Sequence, residues 1–205
     1  MTRTTRTSAA LGLATVLTTA LATGTATAAP AEAAGDARTA VVETMNATWD
    51  ISGAVTGAPG NHHVGQLYVE DGPGTDSDTV FLMNSDYLCP DALTPDSGQC
   101  AALRSTSQMG VDNQLVLDLR GRLSSGQVEM SIPGSWDEGG VTTDVTLGAT
   151  LDVAGTGSVT RTRQTVVWQN FTTLTSLERA GTVTGTIAGM SFTDLPVDLK
   201  RETYR

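Results

Sequence analysis

The chain has 205 residues, with 22 acidic and 12 basic side chains and a formal net charge of −10 at pH 7. A protein this acidic repels phosphate backbones, so nucleic-acid binding is not expected. Lys200 is the single lysine among eleven arginines, and Ala, Thr and Gly are abundant, a composition typical of a GC-rich bacterial genome.

The N-terminal segment 1–28 has the three parts of a cleaved secretion signal. Arg3 and Arg6 form a positive start, an apolar stretch runs from 9 to 21, and small residues at 26–28 form a cleavage pattern. The apolar stretch is too short to cross about 30 Å of hydrocarbon. We therefore expect a secreted, extracellular protein of 177 residues (205 minus 28) with no membrane span after signal removal.

Residues 29–40 are small and polar, which predicts a flexible N-terminal arm. From 41 onward, apolar and polar residues alternate, as in half-buried antiparallel strands. The alternating runs are 41–55, 115–123, 128–132 and 145–153, and less regular runs are 64–70, 79–83, 158–170, 181–192 and 195–203. The sequence predicts one all-β domain at 41–205, an antiparallel β-sandwich of about eight or nine strands with one disulfide. A small closed barrel is the alternative.

His62 and His63 are the only histidines, and no G-x-S-x-G motif accompanies them. On a strand they point to opposite faces, so a Ser–His mechanism is not expected. Shortly after them, an acidic loop gathers Glu70, Asp71, Asp76 and Asp78. These four are candidate calcium ligands, although no EF-hand register fits. The alternative is a solvated acidic hairpin loop, and no cofactor is predicted.

The segment 84–113 is too long for a simple connector, and long ordered loops often carry function. It holds the only two cysteines, Cys89 and Cys100, which outside the cytoplasm predict a disulfide. The alternative, a metal site shared with the two histidines, lacks finger-like spacing. We predict a disulfide-tied loop in which 101–108 form one helical turn at most. Candidate binding residues in it are Asp86, Tyr87 and Asp91.

The arginines at 120 and 122, like those at 161 and 163, share a strand face. Together they could form an anion-binding strip. The alternative is cross-strand pairing with acids of a solvated sheet face, such as Asp118, Asp144 or Asp152.

Trp136 lies between Pro133-Gly134 and Gly139-Gly140, in a polar segment that we predict as a loop. An exposed tryptophan can stack on a sugar or anchor a protein interface, and the alternative is a ring folded back over a core edge. Beside it, Asp137 and Glu138 are candidates for the carboxylate pair of a glycosidase. Neighbouring carboxylates on an extended chain diverge, however, and turns favour both residue types.

These features predict a secreted bacterial binding or adaptor module without enzymatic activity, for example a subunit of an extracellular assembly. Its contact surfaces are expected in the loop 84–113, the Trp136 segment and the arm 29–40. The expected partner is another extracellular protein or a surface glycan. The alternatives are an extracellular hydrolase acting on glycans, and a small-ligand carrier if the strands enclose an apolar cavity.

Overall fold

The computed structural model describes residues 39–52, 60–73, 78–90, 93–112, 114–168 and 171–205. The predicted secretion signal, nearly all of the predicted arm, Asp76 and Asp91 lie outside these residues. Within the described part, no helix is long and apolar enough to cross a membrane.

Ten strands make up most of the described chain, and neighbouring strands are antiparallel. They are β1 (Ala40–Ser52), β2 (Asn61–Asp71), β3 (Thr79–Leu88), β4 (Ala101–Val111), β5 (Val116–Arg120), β6 (Ser125–Glu138), β7 (Val141–Gly155), β8 (Thr160–Trp168), β9 (Phe171–Ile187) and β10 (Met190–Tyr204). The predicted all-β antiparallel class is confirmed, with ten strands rather than eight or nine.

The strands form one sheet that returns on itself. Its order is β10-β1-β2-β3-β4-β6-β7-β9, and β9 pairs with β10 again. Two strands lie outside this ring, because β5 pairs with β6 and β8 pairs with β9. The ring is not a closed barrel, since β4 and β6 are joined only by the pairs Arg104–Glu138 and Ser105–Asp137 among the described residues.

One apolar core fills the interior of the ring. Its members are the inward-facing residues that the alternation predicts, such as Met45 and Ala47 on β1 or Leu147 and Leu151 on β7. Each large aliphatic side chain buried in this way contributes roughly 1.5–3 kcal/mol. The predicted Cys89–Cys100 disulfide is present, and it ties the end of β3 to the start of β4.

The long loop predicted at 84–113 is shorter in the structure. β3 continues to Leu88, β4 occupies 101–111 where one helical turn was expected, and the two strands pair antiparallel. The inward positions of β4 carry Arg104, Thr106 and Gln108, so the apolar alternation that reveals a strand is missing.

The Trp136 segment is also a strand, the final part of β6, rather than a loop. In the sequence, Pro133 and the neighbouring glycine indicate the end of a strand. In the structure they lie where β6 pairs with β7 and, as far as the chain is described, has no strand on its other side. Proline is tolerated at such an open edge because no ladder hydrogen bond is required of it there.

Candidate functional site

At one end of the ring, the inward-facing positions change from apolar to polar. Two rows of cross-strand partners create this polar end. One row runs Trp49–Gly65–Asn84–Thr106 across β1 to β4, and the next runs His63–Asp86–Arg104–Glu138 across β2 to β6. The polar residues therefore meet because of strand register, although they are far apart in sequence.

Asp86 is completely buried and pairs with a basic side chain on each side. Its Oδ1 accepts a hydrogen bond from His63 Nδ1 at 2.5 Å, and its Oδ2 accepts one from Arg104 Nε. The Arg104 guanidinium lies 4.6 Å from the centre of the Trp136 ring, a cation–π contact. This chain of contacts links β2, β3, β4 and β6, and it joins two of the predicted binding residues, Asp86 and Trp136.

Trp49 lies flat across Gly65, and this is why the strand has a glycine there. A Cβ on Gly65 would approach the Trp49 ring to 2.2 Å and the carbonyl oxygen of Met83 to 2.7 Å. The indole also stacks on the His63 ring, with centroids 6.3 Å apart and planes inclined by 18°. The glycine thus lets an aromatic pair pack over the main chain of β2.

Several buried polar atoms of this end form no hydrogen bond within the described chain. They are Trp49 Nε1, His63 Nε2, Asn84 Oδ1 and Thr106 Oγ1. Most buried polar groups in folded proteins are hydrogen-bonded. The polar end therefore has hydrogen-bonding capacity that the fold itself does not use.

Beside the polar rows, and sharing Thr106 with them, an open depression of about 380 Å³ lies where β4 and β6 part. Hydroxyl groups dominate its lining, and Asp137 supplies its one carboxylate. The lining residues are Met83, Ser85, Tyr87, Ala102, Ser105, Thr106, Ser107, Gln108, Ser135, Asp137 and Thr142. Exposed apolar side chains lie on the same strands. Met109 on β4 is 74% exposed, and Val141 at the start of β7 is 66% exposed.

The predicted binding and catalytic residues are divided between the two faces of the sheet. Tyr87 and Asp137 line the outer depression, whereas Asp86 is buried and Trp136 is half-buried against Arg104. Glu138 is not among the lining residues, so the depression does not bring the two candidate carboxylates together. Asp137 Oδ1 instead accepts a hydrogen bond from the Gly140 amide at 3.2 Å, within the hairpin turn.

The two histidines have different partners on opposite faces of β2. His62 Nδ1 lies 2.8 Å from Asp50 Oδ1, and His63 belongs to the buried Asp86 network. Both cysteines are oxidised, so they cannot join the histidines in a metal site.

Among the candidate calcium ligands, the structure describes Glu70, Asp71 and Asp78, and these interact with their own neighbours. Glu70 accepts a hydrogen bond from the Tyr68 hydroxyl, and burial together with this carboxylate raises the pKa of Tyr68 well above its usual range. Burial also raises the pKa of Asp71, and the nearby carboxylate of Asp78 adds to this effect. Within the ranges that the structure describes, no group of three or more His, Cys, Asp or Glu is placed to hold a metal ion.

Sequence reasoning missed the residues that connect the site. Arg104, Asn84 and Thr106 look like loop residues without the register, and the one available signal was a glycine, Gly65, inside a run of strand-forming residues.

Compared with protein-family models, curated proteins and solved structures, the chain matches none.

Proposed function

We propose that this protein is a secreted bacterial binding module without enzymatic activity, and that it takes an extracellular protein partner at the face of β3, β4 and β6. One observation carries the proposal. The two segments expected to make contacts, 84–113 and the one around Trp136, lie side by side through the Ser105–Asp137 pair and jointly line one depression.

The β3–β4 part of this face is held firmly, and this supports a binding role. The disulfide ties the end of β3 to the start of β4, and Asp86 of β3 accepts hydrogen bonds from His63 of β2 and Arg104 of β4. A surface held rigidly in its binding conformation loses little conformational entropy on association, and this favours affinity.

The chemistry of the face favours a protein over a sugar. Hydroxyl groups and one carboxylate offer both donors and acceptors, and Leu103, Met109 and Val141 add exposed apolar area next to them. Protein interfaces combine apolar area with polar hydrogen-bonding groups. A sugar site usually needs aromatic platforms, and Tyr87 is the only aromatic side chain that lines the depression.

The test uses a matched pair of substitutions, each introducing a charge at an exposed apolar position. Met109→Glu alters the proposed face, where Met109 is 74% exposed, whereas Val167→Glu alters a still more exposed site on β8, where Val167 is 94% exposed. Immobilised wild-type protein and the two variants are incubated with culture fluid of the producing bacterium, and the retained proteins are identified by mass spectrometry.

We expect a protein retained by the wild type and by Val167→Glu to be lost from Met109→Glu. Equal retention by both variants would move the interface away from this face. Absence of any specifically retained protein, together with binding on a glycan array, would replace the proposed protein partner by a carbohydrate.

A further inference from the structure

The arginines that the structure describes fall into two groups. Some have carboxylate partners: Arg104 pairs with Asp86, Arg120 with Asp118, and Arg201 with Glu43. A second group has no carboxylate within 4 Å in the described part of the chain, and its members are Arg122, Arg161, Arg163, Arg179 and Arg205.

This second group gathers on one side of the molecule. Arg122, Arg161 and Arg205 line a single groove of about 310 Å³, together with Val159, Thr175, Leu177 and Thr203. Arg163 lies two residues beyond Arg161 on the same face of β8, opposite Thr175 on β9. The groove belongs to strands other than those that line the depression at β4 and β6.

The fold builds the two walls of this groove separately. One wall is the sheet of β8, β9 and β10, where register places Arg161 opposite Leu177 and Thr175 opposite Thr203. The other wall is the turn after β5, which carries Arg122.

Two arginine side chains hold the turn that carries Arg122 through hydrogen bonds to main-chain oxygen atoms. Arg201 donates hydrogen bonds to the carbonyl oxygens of Leu119 and Gly121, and Arg179 Nη1 donates one to the carbonyl oxygen of Arg122 at 3.3 Å. The main chain at Arg122 is therefore held beside the groove by contacts within the fold.

The clustering of these charges opposes the overall charge of the chain. Arginines in a protein with 22 acidic residues can readily be neutralised by pairing, whereas neighbouring guanidinium groups repel each other. A groove with charges of one sign and apolar walls concentrates the electrostatic field, and here Val159 and Leu177 provide apolar surface. Guanidinium groups bind the oxygens of phosphate, sulfate and carboxylate in bidentate fashion.

We propose that the groove of Arg122, Arg161 and Arg205 is a binding site for an oxyanion that carries two or more negative charges. The hydroxyl groups of Thr175 and Thr203 supply further hydrogen-bond donors to the same ligand. This site is independent of the proposed protein-binding face, so either proposal can fail without the other.

Isothermal titration calorimetry at low ionic strength tests this site. The purified protein is titrated separately with inorganic phosphate, pyrophosphate, sulfate and citrate in a chloride buffer. Arg122→Gln and Arg161→Gln remove one guanidinium each from the groove. Arg120→Gln is the matched control, because Arg120 is an exposed arginine that pairs with Asp118 outside the groove.

We expect at least one of the four anions to bind, and its identity distinguishes a phosphoryl, sulfate or carboxylate ligand. Each groove substitution should weaken binding about five- to tenfold, the double variant more, and the control less than about twofold. Circular dichroism checks that the variants keep the strand content of the wild type. Failure of all four anions to bind, or equal weakening by Arg120→Gln and Arg122→Gln, would overturn the proposal.

Discussion

The substitution Asp86→Asn tests whether the buried charge network holds the polar end together. Asp86 accepts hydrogen bonds from His63 and Arg104, and only 1% of its side chain is exposed. Removing one member of a buried ion pair costs about 3–5 kcal/mol, because the remaining charge loses its partner. Arg104 is 40% exposed and can be rehydrated, so we expect the lower end of this range, about 3 kcal/mol.

Urea unfolding followed by tryptophan fluorescence measures this loss. The matched control is Asp118→Asn, which breaks an ion pair whose side chains are 48% and 64% exposed and which is therefore expected to cost much less than the buried pair. In a domain of this size, a loss of about 3 kcal/mol lowers the melting temperature by roughly 6–12 °C. Equal losses in the two variants would refute the structural role assigned to Asp86.

Three further predictions concern the stability of the folded protein. Gly65→Ala should cost about 2–3 kcal/mol in the same urea assay, because the new methyl group displaces a tryptophan ring. The control Gly148→Ala should be neutral or slightly stabilising, since its Cβ meets nothing closer than 3.4 Å. Equal effects of the two substitutions would contradict the packing described. Replacing Cys89 and Cys100 together by serine should cost about 3 kcal/mol in urea, the loop-closure value for a sequence separation of 11, and no loss would contradict it. Burial raises the pKa of Asp71, so folding favours the protonated form, and stability is lost as pH rises. Asp71→Asn should therefore stabilise the protein at pH 7 but much less at pH 3, and an equal gain at both would contradict this sign.

The fold class could be predicted because most strands bury one face in an apolar core. The alternation around Met45 or Leu147 has a direct physical cause, since a half-buried strand must place every second side chain inward. The same rule fails for β4, where Arg104 and Thr106 point inward, and Arg104 is compensated by Asp86 of β3. Such compensation depends on register, which a single sequence does not reveal.

The site could be predicted only in pieces. Asp86, Tyr87 and Trp136 were singled out for their chemistry and their polar surroundings. The structure adds that Arg104 connects Asp86 to Trp136 and that Tyr87 faces the opposite side of the sheet. In the same way, the arginines at 120 and 122 and those at 161 and 163 suggest an anion strip in the sequence, and the structure adds Arg205 beside Arg122 and Arg161.

The junction of β4 and β6 also has a consequence for the motions of this domain. Because two residue pairs connect these strands, separating them breaks fewer ladder hydrogen bonds than separating β6 from β7, which are paired over 14 residues. Local opening reactions begin where the fewest bonds have to break. Successive amides of a strand point to opposite sides, so this opening frees only the amide of Arg104 or Ser105 that points to β6. That amide proton should therefore exchange with solvent deuterium long before those in the middle of β7, and the hydrated, partly opened state would expose the polar end of the interior while the apolar core stays packed.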